Sequence, residues 1–392
     1  MKRLAVLGST GSIGTSTLDV VARFPERFRV ATLAAGRNVE RLAGQIRAFS
    51  PSLVSVAREE DAADLREAFP GVTVMAGEEG LVAAATHPDA TTVVGAVVGA
   101  AGLVPTWHAV QMGREVLLAN KETLVVAGEL VMAAAARHGA PILPIDSEHN
   151  ALHQALRVGP PEAVLRLVLT ASGGPFRAAP LEALRRVTVE QALAHPTWQM
   201  GAKITIDSAT MMNKGLEIIE AHHLFGVGEE RIGVVVHPES RVHSLVEYVD
   251  GTFIAQLSVN DMRFPILYAL AYPERLPSPL PALDLVALGS LHFEAADEVR
   301  FPALRLAREA LRAGGTVPAV MNAANEVAVA AFLERRIAFL DIAAVVEATM
   351  ARETGAGTTL SCLEDALEAD RRGRAWARET VSKYPSLPTG SK

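Results

Sequence analysis

The sequence contains little cysteine and little lysine, and each scarcity limits the classes of protein to which it can belong. Its 392 residues include a single cysteine, Cys362, which excludes an internal disulfide framework and indicates a reducing compartment, the cytoplasm. Because the neighbours of Cys362 follow a helical apolar pattern, we expect a buried structural thiol. A strand pattern begins within the first three residues, which leaves no space for a signal peptide.

Net positive charge and long apolar runs are also lacking. The formal net charge of -7 argues against a general binder of nucleic acid or anionic membrane, so a local positive cluster must hold any anionic ligand. The longest uncharged run, 90–112, is interrupted by glycine and proline and predicts a buried strand and a loop, not a membrane span. Between positions 3 and 382 the only lysines are Lys121, Lys203 and Lys214, and each supplies a compact ammonium that arginine cannot.

The patterning that is present predicts a multidomain α/β protein. Residues 1–145 alternate short β-branched runs with amphipathic stretches, which predicts a Rossmann-like, doubly wound parallel sheet that binds NADPH. Residues 146–272 carry longer strands and a hairpin signal at Asp250-Gly251, which predicts an α+β catalytic domain. Residues 273–300 form a proline-rich connector, and residues 301–392 predict a C-terminal α-helical bundle.

A glycine-rich loop follows the first predicted strand and precedes a helical pattern. Its string GSTGSIG has the spacing G-x-x-G-x-x-G, not the commoner G-x-G-x-x-G. Such glycines let the backbone turn sharply and approach a pyrophosphate at a helix N-terminus. The loop predicts dinucleotide binding, with a structural turn as the alternative.

The end of the second predicted strand indicates which dinucleotide binds. NAD sites usually place Asp or Glu there for the ribose 2′-hydroxyl. Here the string AGRN at 35–38 has no carboxylate, and Arg37 and Asn38 offer donors for a 2′-phosphate. We therefore predict NADPH; the alternative is that Arg37 is a solvated loop residue.

Two carboxylates, Asp146 and Glu148, follow a short predicted strand. Side chains at i and i+2 of an extended segment point to the same side, and converging carboxylates repel unless a cation or proton lies between them. Hard ions such as Mg²⁺ or Mn²⁺ prefer such oxygen ligands. Glu217, one helical turn from Asn213, is the candidate third carboxylate; an ordinary ion pair between Lys214 and Glu217 is the alternative.

Hydroxyl, amide and ammonium groups predict an anion site. The turn at 170–175 carries Ser172 and two glycines and resembles a phosphate-binding turn, with a plain strand-ending turn as the alternative. Ser208, Asn213 and Lys214 offer further donors for the same phosphate. Lys121 ends a predicted strand of the first sheet, where ligands lie in open α/β folds, unless it is an ordinary exposed lysine.

The segment near 194–203 predicts a mobile lid. Pro196 and Gly201 bracket His195 and Trp198 in a stretch without periodicity, and such a loop can exclude water from a site. Trp198 as a core residue is the alternative. His195 is a candidate general acid or phosphate donor, whereas the histidines at 222, 223, 237 and 243 are assigned no role.

Taken together, these strings resemble the 1-deoxy-D-xylulose 5-phosphate reductoisomerase family of the non-mevalonate isoprenoid pathway, nearly end to end. They are GSTGSIG, AGRN, VGAAGL, LLANKE, PIDSEHNA, SGGPF, HPTWQMG, KITIDSATMMNKGLE and MNAANE. The resemblance implies an enzyme that uses NADPH and one divalent cation (Mg²⁺, Mn²⁺ or Co²⁺). It rearranges 1-deoxy-D-xylulose 5-phosphate and reduces the aldehyde formed to 2-C-methyl-D-erythrose 4-phosphate. The resemblance also implies a cytoplasmic homodimer with a small phosphorylated sugar as substrate and no nucleic-acid or membrane partner.

The resemblance further implies a role for each matching residue. The metal ligands are Asp146, Glu148 and Glu217, and the catalytic residues that touch the reacting hydroxyls are Lys121 and Glu148. The substrate-binding residues are Ser147, Glu148, Ser172, His195, Trp198, Ser208, Asn213, Lys214 and Glu217. The cofactor-binding residues are Thr10, Gly11, Ser12, Ile13, Gly36, Arg37, Asn38, Asn120, Glu122 and Gly201. Many members have lysine at the position of Arg37, which keeps the cation, and some have glycine at that of Ala171.

Two other functions fit part of this pattern. An NADPH-dependent dehydrogenase that reduces, for example, a semialdehyde without rearrangement would keep its activity in EDTA. A non-catalytic sensor of NADP(H) would leave the three carboxylates without a task.

Overall fold

The computed structural model describes residues 1–198, 200–354 and 359–384, and the chain divides into two compact units. Unit 1 comprises Met1–Thr123, Val131–Asn150 and Asp261–Pro281; unit 2 comprises Leu124–Leu130, Ala151–Asn260 and Ala282–Lys392. Position 199 of the predicted lid and positions 385–392 of the predicted C-terminal domain lie outside the described residues. The functional division at 145, 272 and 300 stays a prediction.

Unit 1 is built on a seven-stranded sheet whose described strands all run parallel. The strands are β1 (Lys2–Leu7), β2 (Phe28–Ala34), β3 (Leu53–Val56), β4 (Thr73–Ala76), β5 (Thr92–Gly95), β6 (Glu115–Leu118) and β7 (Ile142–Pro144). Their order is β4-β3-β2-β1-β5-β6-β7. The strands are almost continuously apolar because helices cover both faces of such a sheet. The predicted doubly wound sheet is confirmed.

Helices follow most of these strands. Up to residue 155 they are α1 (Ser12–Arg23), α2 (Val39–Phe49), α3 (Glu59–Ala68), α4 (Gly77–Thr86), α5 (Leu103–Gln111), α6 (Glu122–His138) and α7 (Ser147–Ala155). The core of unit 1 joins apolar side chains of the sheet, such as Leu4 and Val94, with Leu18 of α1 and Leu42 of α2. This packing fixes the loops at the carboxyl ends of the strands.

Unit 2 contains a mixed five-stranded sheet. Its strands are β8 (Val164–Ala171), β9 (Ile232–Val236), β10 (Val242–Tyr248), β11 (Phe253–Leu257) and β12 (Glu294–Ala295), in the order β11-β10-β8-β9-β12. β8 and β9 are parallel, and the other pairs are antiparallel. The predicted hairpin is β10–β11, closed at Asp250-Gly251 with Gly251 at φ +82°. The α+β expectation is confirmed.

The remaining helices include the C-terminal bundle. They are α8 (Leu181–Leu184), α9 (Val189–Leu193), α10 (Ala202–Ala209), α11 (Met212–Phe225), α12 (Arg263–Ala271, in unit 1), α13 (Leu285–Leu288), α14 (Ala303–Ala313), α15 (Val317–Leu333), α16 (Asp341–Thr354) and α17 (Leu363–Val381). α15 packs against α14, α16 and α17, which confirms the bundle. It begins at Val317, and Pro318 fits the first turn of the helix.

Two further expectations concern Cys362 and membrane insertion. Cys362 is exposed at the N-terminus of α17, so the prediction of a buried thiol is wrong. The cysteine precedes the first helical residue, and the buried face begins at Leu363 and continues at Ala366. Across the described ranges no helix combines the length and apolar content needed to span a bilayer.

Candidate active site

The glycine-rich loop between β1 and α1 lies where the strand order of the unit 1 sheet reverses. β1 pairs with β2 on one side and β5 on the other, and ligands of doubly wound sheets bind at this point. Gly8 has φ +83°, and a Cβ added there would lie 2.3 Å from the Ala96 carbonyl oxygen. A Cβ on Gly14 would lie 2.3 Å from the Gly8 carbonyl oxygen. The loop therefore has space for backbone alone, as a pyrophosphate cradle requires.

The turn after β2 lies beside this loop. Gly36, Arg37 and Asn38 are exposed, and the Asn38 side chain caps α2 by accepting from the Arg41 N–H at 3.1 Å. The Arg41 guanidinium donates to the Thr10 carbonyl oxygen at 3.1 Å. The structure thus brings the predicted 2′-phosphate turn and the predicted pyrophosphate loop to one edge of the sheet.

Three predicted site residues leave the carboxyl end of β6. Asn120, Lys121 and Glu122 are only 3%, 4% and 7% exposed. Asn120 Nδ2 donates to Glu122 Oε2 at 2.8 Å, and Lys121 Nζ lies 2.7 Å from Asp146 Oδ2. Lys121 is therefore not an ordinary exposed lysine, and it joins the end of β6 to the segment that follows β7.

Asp146 is an ionised carboxylate in that segment. Burial alone would raise the pKa of Asp146, but the charge of Lys121 and the contact with His149, 3.5 Å away, outweigh it and hold this pKa well below its usual range. Ser147 donates a hydrogen bond to the Glu148 carboxylate.

The local backbone of this segment differs from the expected one. α7 begins at Ser147, so the argument that Asp146 and Glu148 share one side of an extended segment is wrong. Instead the Asp146 carboxylate accepts from the Glu148 N–H at 3.3 Å, as acidic residues preceding a helix do. Glu148 therefore occupies the first turn of α7.

In unit 2, Ser172, His195 and Ser208 form one polar cluster. His195 Nε2 lies 3.1 Å from the Ser172 hydroxyl and 3.1 Å from the Ser208 hydroxyl. Gly173 and Gly174 follow β8 with φ +82° and +65°, and a Cβ on Gly174 would lie 2.8 Å from the Ser208 carbonyl oxygen. The predicted anion turn is therefore packed backbone-to-backbone on α10.

The hydrogen bonds of His195 define its tautomer. Its Nδ1 accepts from the backbone N–H groups of Thr197, at 3.2 Å, and Trp198, at 3.0 Å. Nδ1 therefore carries no proton, and the proton of the neutral ring is assigned to Nε2. Burial lowers the pKa of His195, which favours that neutral form. The geometry thus presents an N–H donor toward the two hydroxyls, which favours a phosphate donor over a general acid.

A polar trio of one half-buried residue, Asn213, and two buried ones, Lys214 and Glu217, opens α11. Lys214 and Glu217 are 3% and 1% exposed, and Lys214 Nζ lies 2.5 Å from Glu217 Oε2. Asn213 Nδ2 donates to Glu217 Oε1 at 2.5 Å. The Lys214–Glu217 ion pair considered from the sequence is present, but it is buried. Because desolvating two charges is costly, such pairs concentrate at functional sites and are uncommon on ordinary helix faces.

The junction between α10 and α11 consists of Thr210 and Met211, and Met211 is in a left-handed conformation. Met211 has φ +63°, which is uncommon for a non-glycine residue. Ser208 lies near the end of α10, and Asn213, five residues later, lies near the start of α11. The sharp turn between them separates the two helices within this short stretch of chain. The two halves of the string SATMMNK therefore sit on different helices.

Sequence reasoning missed Asp207 and Asn325. Asp207, in α10, is 1% exposed; its Oδ2 lies 2.8 Å from Lys203 Nζ, and its Oδ1 accepts from Asn325 Nδ2 of α15 at 2.8 Å. This contact holds α10, with its Ser208, against the helical bundle. No spacing in the sequence connects positions 207 and 325, although the string MNAANE, which includes Asn325 of α15, is part of the family resemblance.

His243, to which the sequence analysis assigned no role, lies beside the predicted lid. It is 5% exposed on β10, its Nε2 lies 2.9 Å from the Ser258 hydroxyl, and burial lowers its pKa to about 4. Its ring centroid lies 6.4 Å from that of Trp198, which is half-buried in the predicted lid. Gly201 is the exposed N-cap of α10 and the one predicted cofactor residue that belongs to unit 2.

Together the fold and these clusters define a class of enzyme. A doubly wound sheet with a backbone-only glycine loop is the mark of dinucleotide-dependent oxidoreductases. The buried carboxylates and the anion donors add the means to bind a charged substrate.

Comparisons with known proteins identify the family. Models of 1-deoxy-D-xylulose 5-phosphate reductoisomerase match residues 4–128, those of its C-terminal domain match 142–225, and a DXP reductoisomerase C-terminal domain matches 257–376. The enzyme of that name from Anaeromyxobacter sp. strain K is 56% identical over 391 residues, covering 100% of both chains. The one from Chlorobaculum tepidum is 56% identical over 97% of this chain and 99% of its own. The chain belongs to the 1-deoxy-D-xylulose 5-phosphate reductoisomerase family.

Solved structures agree with this assignment. A crystal structure of DOX-P reductoisomerase in complex with NADPH, fosmidomycin and magnesium superposes with a TM-score of 0.92 at 44% identity, covering 97% of this chain and 98% of that one. The reductoisomerase from Zymomonas mobilis in complex with NADPH gives a TM-score of 0.91 at 46% identity, covering 98% and 99%. The likeness therefore extends over the whole fold.

Proposed function

We propose that the protein converts 1-deoxy-D-xylulose 5-phosphate to 2-C-methyl-D-erythrose 4-phosphate by intramolecular rearrangement and reduction, with NADPH and a divalent cation. The observation that carries this proposal is the 56% identity with a reductoisomerase over 100% of both chains. The buried, charged side chains described above supply the groups that this chemistry needs.

Asp146, Glu148 and Glu217 are the proposed metal ligands. Their donor chemistry fits, because hard divalent ions prefer carboxylate oxygens and Asp146 is held ionised. Glu217 is buried, and Asn213 Nδ2 and Lys214 Nζ each lie 2.5 Å from one of its carboxylate oxygens. A bound Mg²⁺, Mn²⁺ or Co²⁺ supplies Lewis-acid stabilisation of the ketone and hydroxyl oxygens.

The proposed phosphate site consists of donors from four segments of unit 2: the turn after β8, the predicted lid, α10 and α11. Ser172 and Ser208 provide hydroxyls, His195 provides its Nε2–H, and Asn213 and Lys214 provide an amide and an ammonium. Binding a remote phosphate in this way orients the reacting carbons, since fixed orientation lowers the barrier of a rearrangement. Trp198 of the lid excludes water from the same site.

The remaining roles concern proton handling and the cofactor. Lys121 holds a proton at Nζ beside the Asp146 carboxylate, and with Glu148 and Ser147 it is positioned to exchange protons with substrate hydroxyls. NADPH supplies the hydride. Its proposed contacts are Thr10, Gly11, Ser12, Ile13, Gly36, Arg37, Asn38, Asn120, Glu122 and Gly201.

The substitution Glu217→Gln tests the metal site. We expect it to abolish metal-dependent NADPH oxidation with 1-deoxy-D-xylulose 5-phosphate, because a neutral amide is a poor ligand for a hard cation, while the Kd for NADPH changes less than about twofold. Glu220→Gln, on the same helix and fully buried, is the matched control and should keep its metal dependence. Unchanged turnover of Glu217→Gln would exclude the site, and wild-type turnover that survives EDTA would favour a plain dehydrogenase.

We also propose a homodimer in the cytoplasm. The family resemblance supports the dimer, and the single cysteine supports a reducing compartment. Sedimentation equilibrium of the full chain measures the first point, and a monomer at micromolar concentration would contradict it. Location of the tagged protein in a fractionated cell measures the second.

A further inference from the structure

A second cation lies beside the turn that we propose to bind the 2′-phosphate of NADPH. Ala34 of β2 is paired with Ser55 of β3, the Ala35 N–H donates to the Ser55 carbonyl oxygen at 2.9 Å, and the Ala57 N–H donates to the Gly36 carbonyl oxygen at 3.3 Å. The chain leaving β3 therefore runs alongside the turn at 36–38. Its next residue is Arg58, the N-cap of α3.

Arg58 is engaged with a carboxylate at this position. Its Nε and Nη2 donate to the two carboxylate oxygens of Asp61, at 2.8 Å each, in a bidentate pair. The side chain of Asp61 is 11% exposed and that of Arg58 is 53% exposed. The guanidinium thus covers a carboxylate that stands in the first turn of α3.

Asp61 also lies within electrostatic reach of Arg37. The hydrogen bonds from Arg58 are the main cause of the lowered pKa of Asp61, and the charge of Arg37 contributes to it. A carboxylate close to the end of the second strand is the feature by which other sites select NADH, since it binds the ribose 2′-hydroxyl and repels a 2′-phosphate. Asp61 is not at the end of β2 but on α3, and the Arg58 guanidinium balances its charge.

We propose that Arg58 determines cofactor specificity by neutralising Asp61. With Arg58 in place, the edge formed by Arg37 and Asn38 keeps a positive potential that favours the 2′-phosphate. Without it, the negative charge of Asp61 near this edge is no longer balanced by the bidentate pair. Arg58 is a positioning residue that acts through Asp61, and the inference rests on the proposed binding of NADPH at this edge.

The experiment measures the Kd of NADPH and of NADH for the full chain by isothermal titration calorimetry. We expect Arg58→Ala to raise the Kd of NADPH about tenfold and that of NADH less than about twofold. Once the Arg58 guanidinium is removed, the charge of Asp61 repels the 2′-phosphate, which NADH lacks. The double substitution Arg58→Ala with Asp61→Asn should return the Kd of NADPH to within about threefold of wild type. Arg58→Lys should keep most of the preference.

Arg29→Ala is the matched control. Arg29 is an exposed arginine at the opposite end of β2, so its removal changes the net charge equally and should leave both Kd values unchanged. Equal losses for both cofactors in Arg58→Ala, or no recovery in the double variant, would overturn the inference. A wild-type protein that binds NADPH no more tightly than NADH would instead overturn the proposed cofactor. The double variant removes both members of the bidentate pair and leaves only the exposed Glu60 without its contact to Arg58, so it also serves if Arg58→Ala does not fold.

Discussion

The contact between Asn325 and Asp207 provides the most direct test of how the fold positions the phosphate donors. Asn325→Leu removes the Nδ2 donor, 2.8 Å from Asp207 Oδ1, and leaves Lys203 as the remaining partner described for that carboxylate. A buried charged acceptor that loses one hydrogen bond costs about 1–3 kcal/mol. Asn325 is 0% exposed, so water cannot replace the lost donor without rearrangement.

That cost should appear mainly as weaker substrate binding. If about 2 kcal/mol of the energy that holds α10 is lost, the fraction of molecules with Ser208 in place falls up to about 30-fold. We expect KM for 1-deoxy-D-xylulose 5-phosphate to rise by roughly that factor. The kcat at saturating substrate should stay within about threefold, because Asn325 is proposed to touch no reacting group.

Steady-state rates of NADPH oxidation at varied substrate, with a thermal melt of each variant, provide the assay. Asn322→Leu is the matched control: Asn322 is also 0% exposed on α15, but its Nδ2 donates to Glu326 of the same helix at 3.1 Å. This control should lose stability without a change in KM. Equal KM changes in the two variants, or an unchanged KM in Asn325→Leu, would refute the reasoning.

Two further predictions concern the glycine loop and a buried histidine. Gly14→Ala places a Cβ 2.3 Å from the Gly8 carbonyl oxygen, which should lower the free energy of unfolding by about 1–3 kcal/mol and raise the Kd of NADPH severalfold. Gly44→Ala, with open space around the added Cβ, should change neither quantity. An unaltered Kd in Gly14→Ala would contradict the proposed pyrophosphate cradle. Burial lowers the pKa of His243 from 6.5 to about 4. Below pH 6.5 the unfolded state therefore binds more protons than the folded state, and the stability present above that pH is lost as the pH falls toward 4. The loss attributable to His243 at about pH 5 should be roughly 2 kcal/mol, and denaturant titrations at about pH 7 and 5 should show a smaller difference for His243→Gln than for wild type.

Local chemistry explains why much of unit 1 could be predicted. At Gly8 and Gly14 neighbouring backbone atoms leave no space for a Cβ, so only glycine fits and the two positions can be recognised from the sequence. The strand that precedes them is a short continuous apolar run, whereas the helix that follows has helical spacing, and this difference separates the two elements. The turn with Arg37 follows from the same reasoning because the second strand must end beside the loop.

The geometry near Asp146 shows where local reasoning is insufficient. A strand end followed by Ser147 and Glu148 is compatible with an extended segment or with the start of a helix, and the sequence analysis predicted an extended segment. The helix forms because the Asp146 side chain caps the N–H of Glu148, a contact that depends on where the chain turns after β7. The choice between the two conformations is therefore not encoded by spacing alone.

Contacts that depend on distant segments could not be found in this way. Asp207 and Asn325 are 118 residues apart, and each is a common polar residue on a helix until the helices pack. Likewise, the sequence around His243 predicts only a strand, and the contact of its ring with Trp198 depends on how the predicted lid folds back over β10. Such pairs depend on tertiary packing, which periodicity does not report.

The left-handed Met211 has a consequence for how this family can vary in length. A helix rotates by about 100° per residue, so one residue added or removed at this junction would turn Lys214 and Glu217 roughly a quarter of the way around α11. The apolar face of that helix, including Leu216 and Ile219, would be displaced from the core at the same time. Insertions and deletions should therefore be absent between 208 and 217 in active relatives, whatever else changes there. The fold therefore constrains the number of residues at this point, independently of the side chains that they carry.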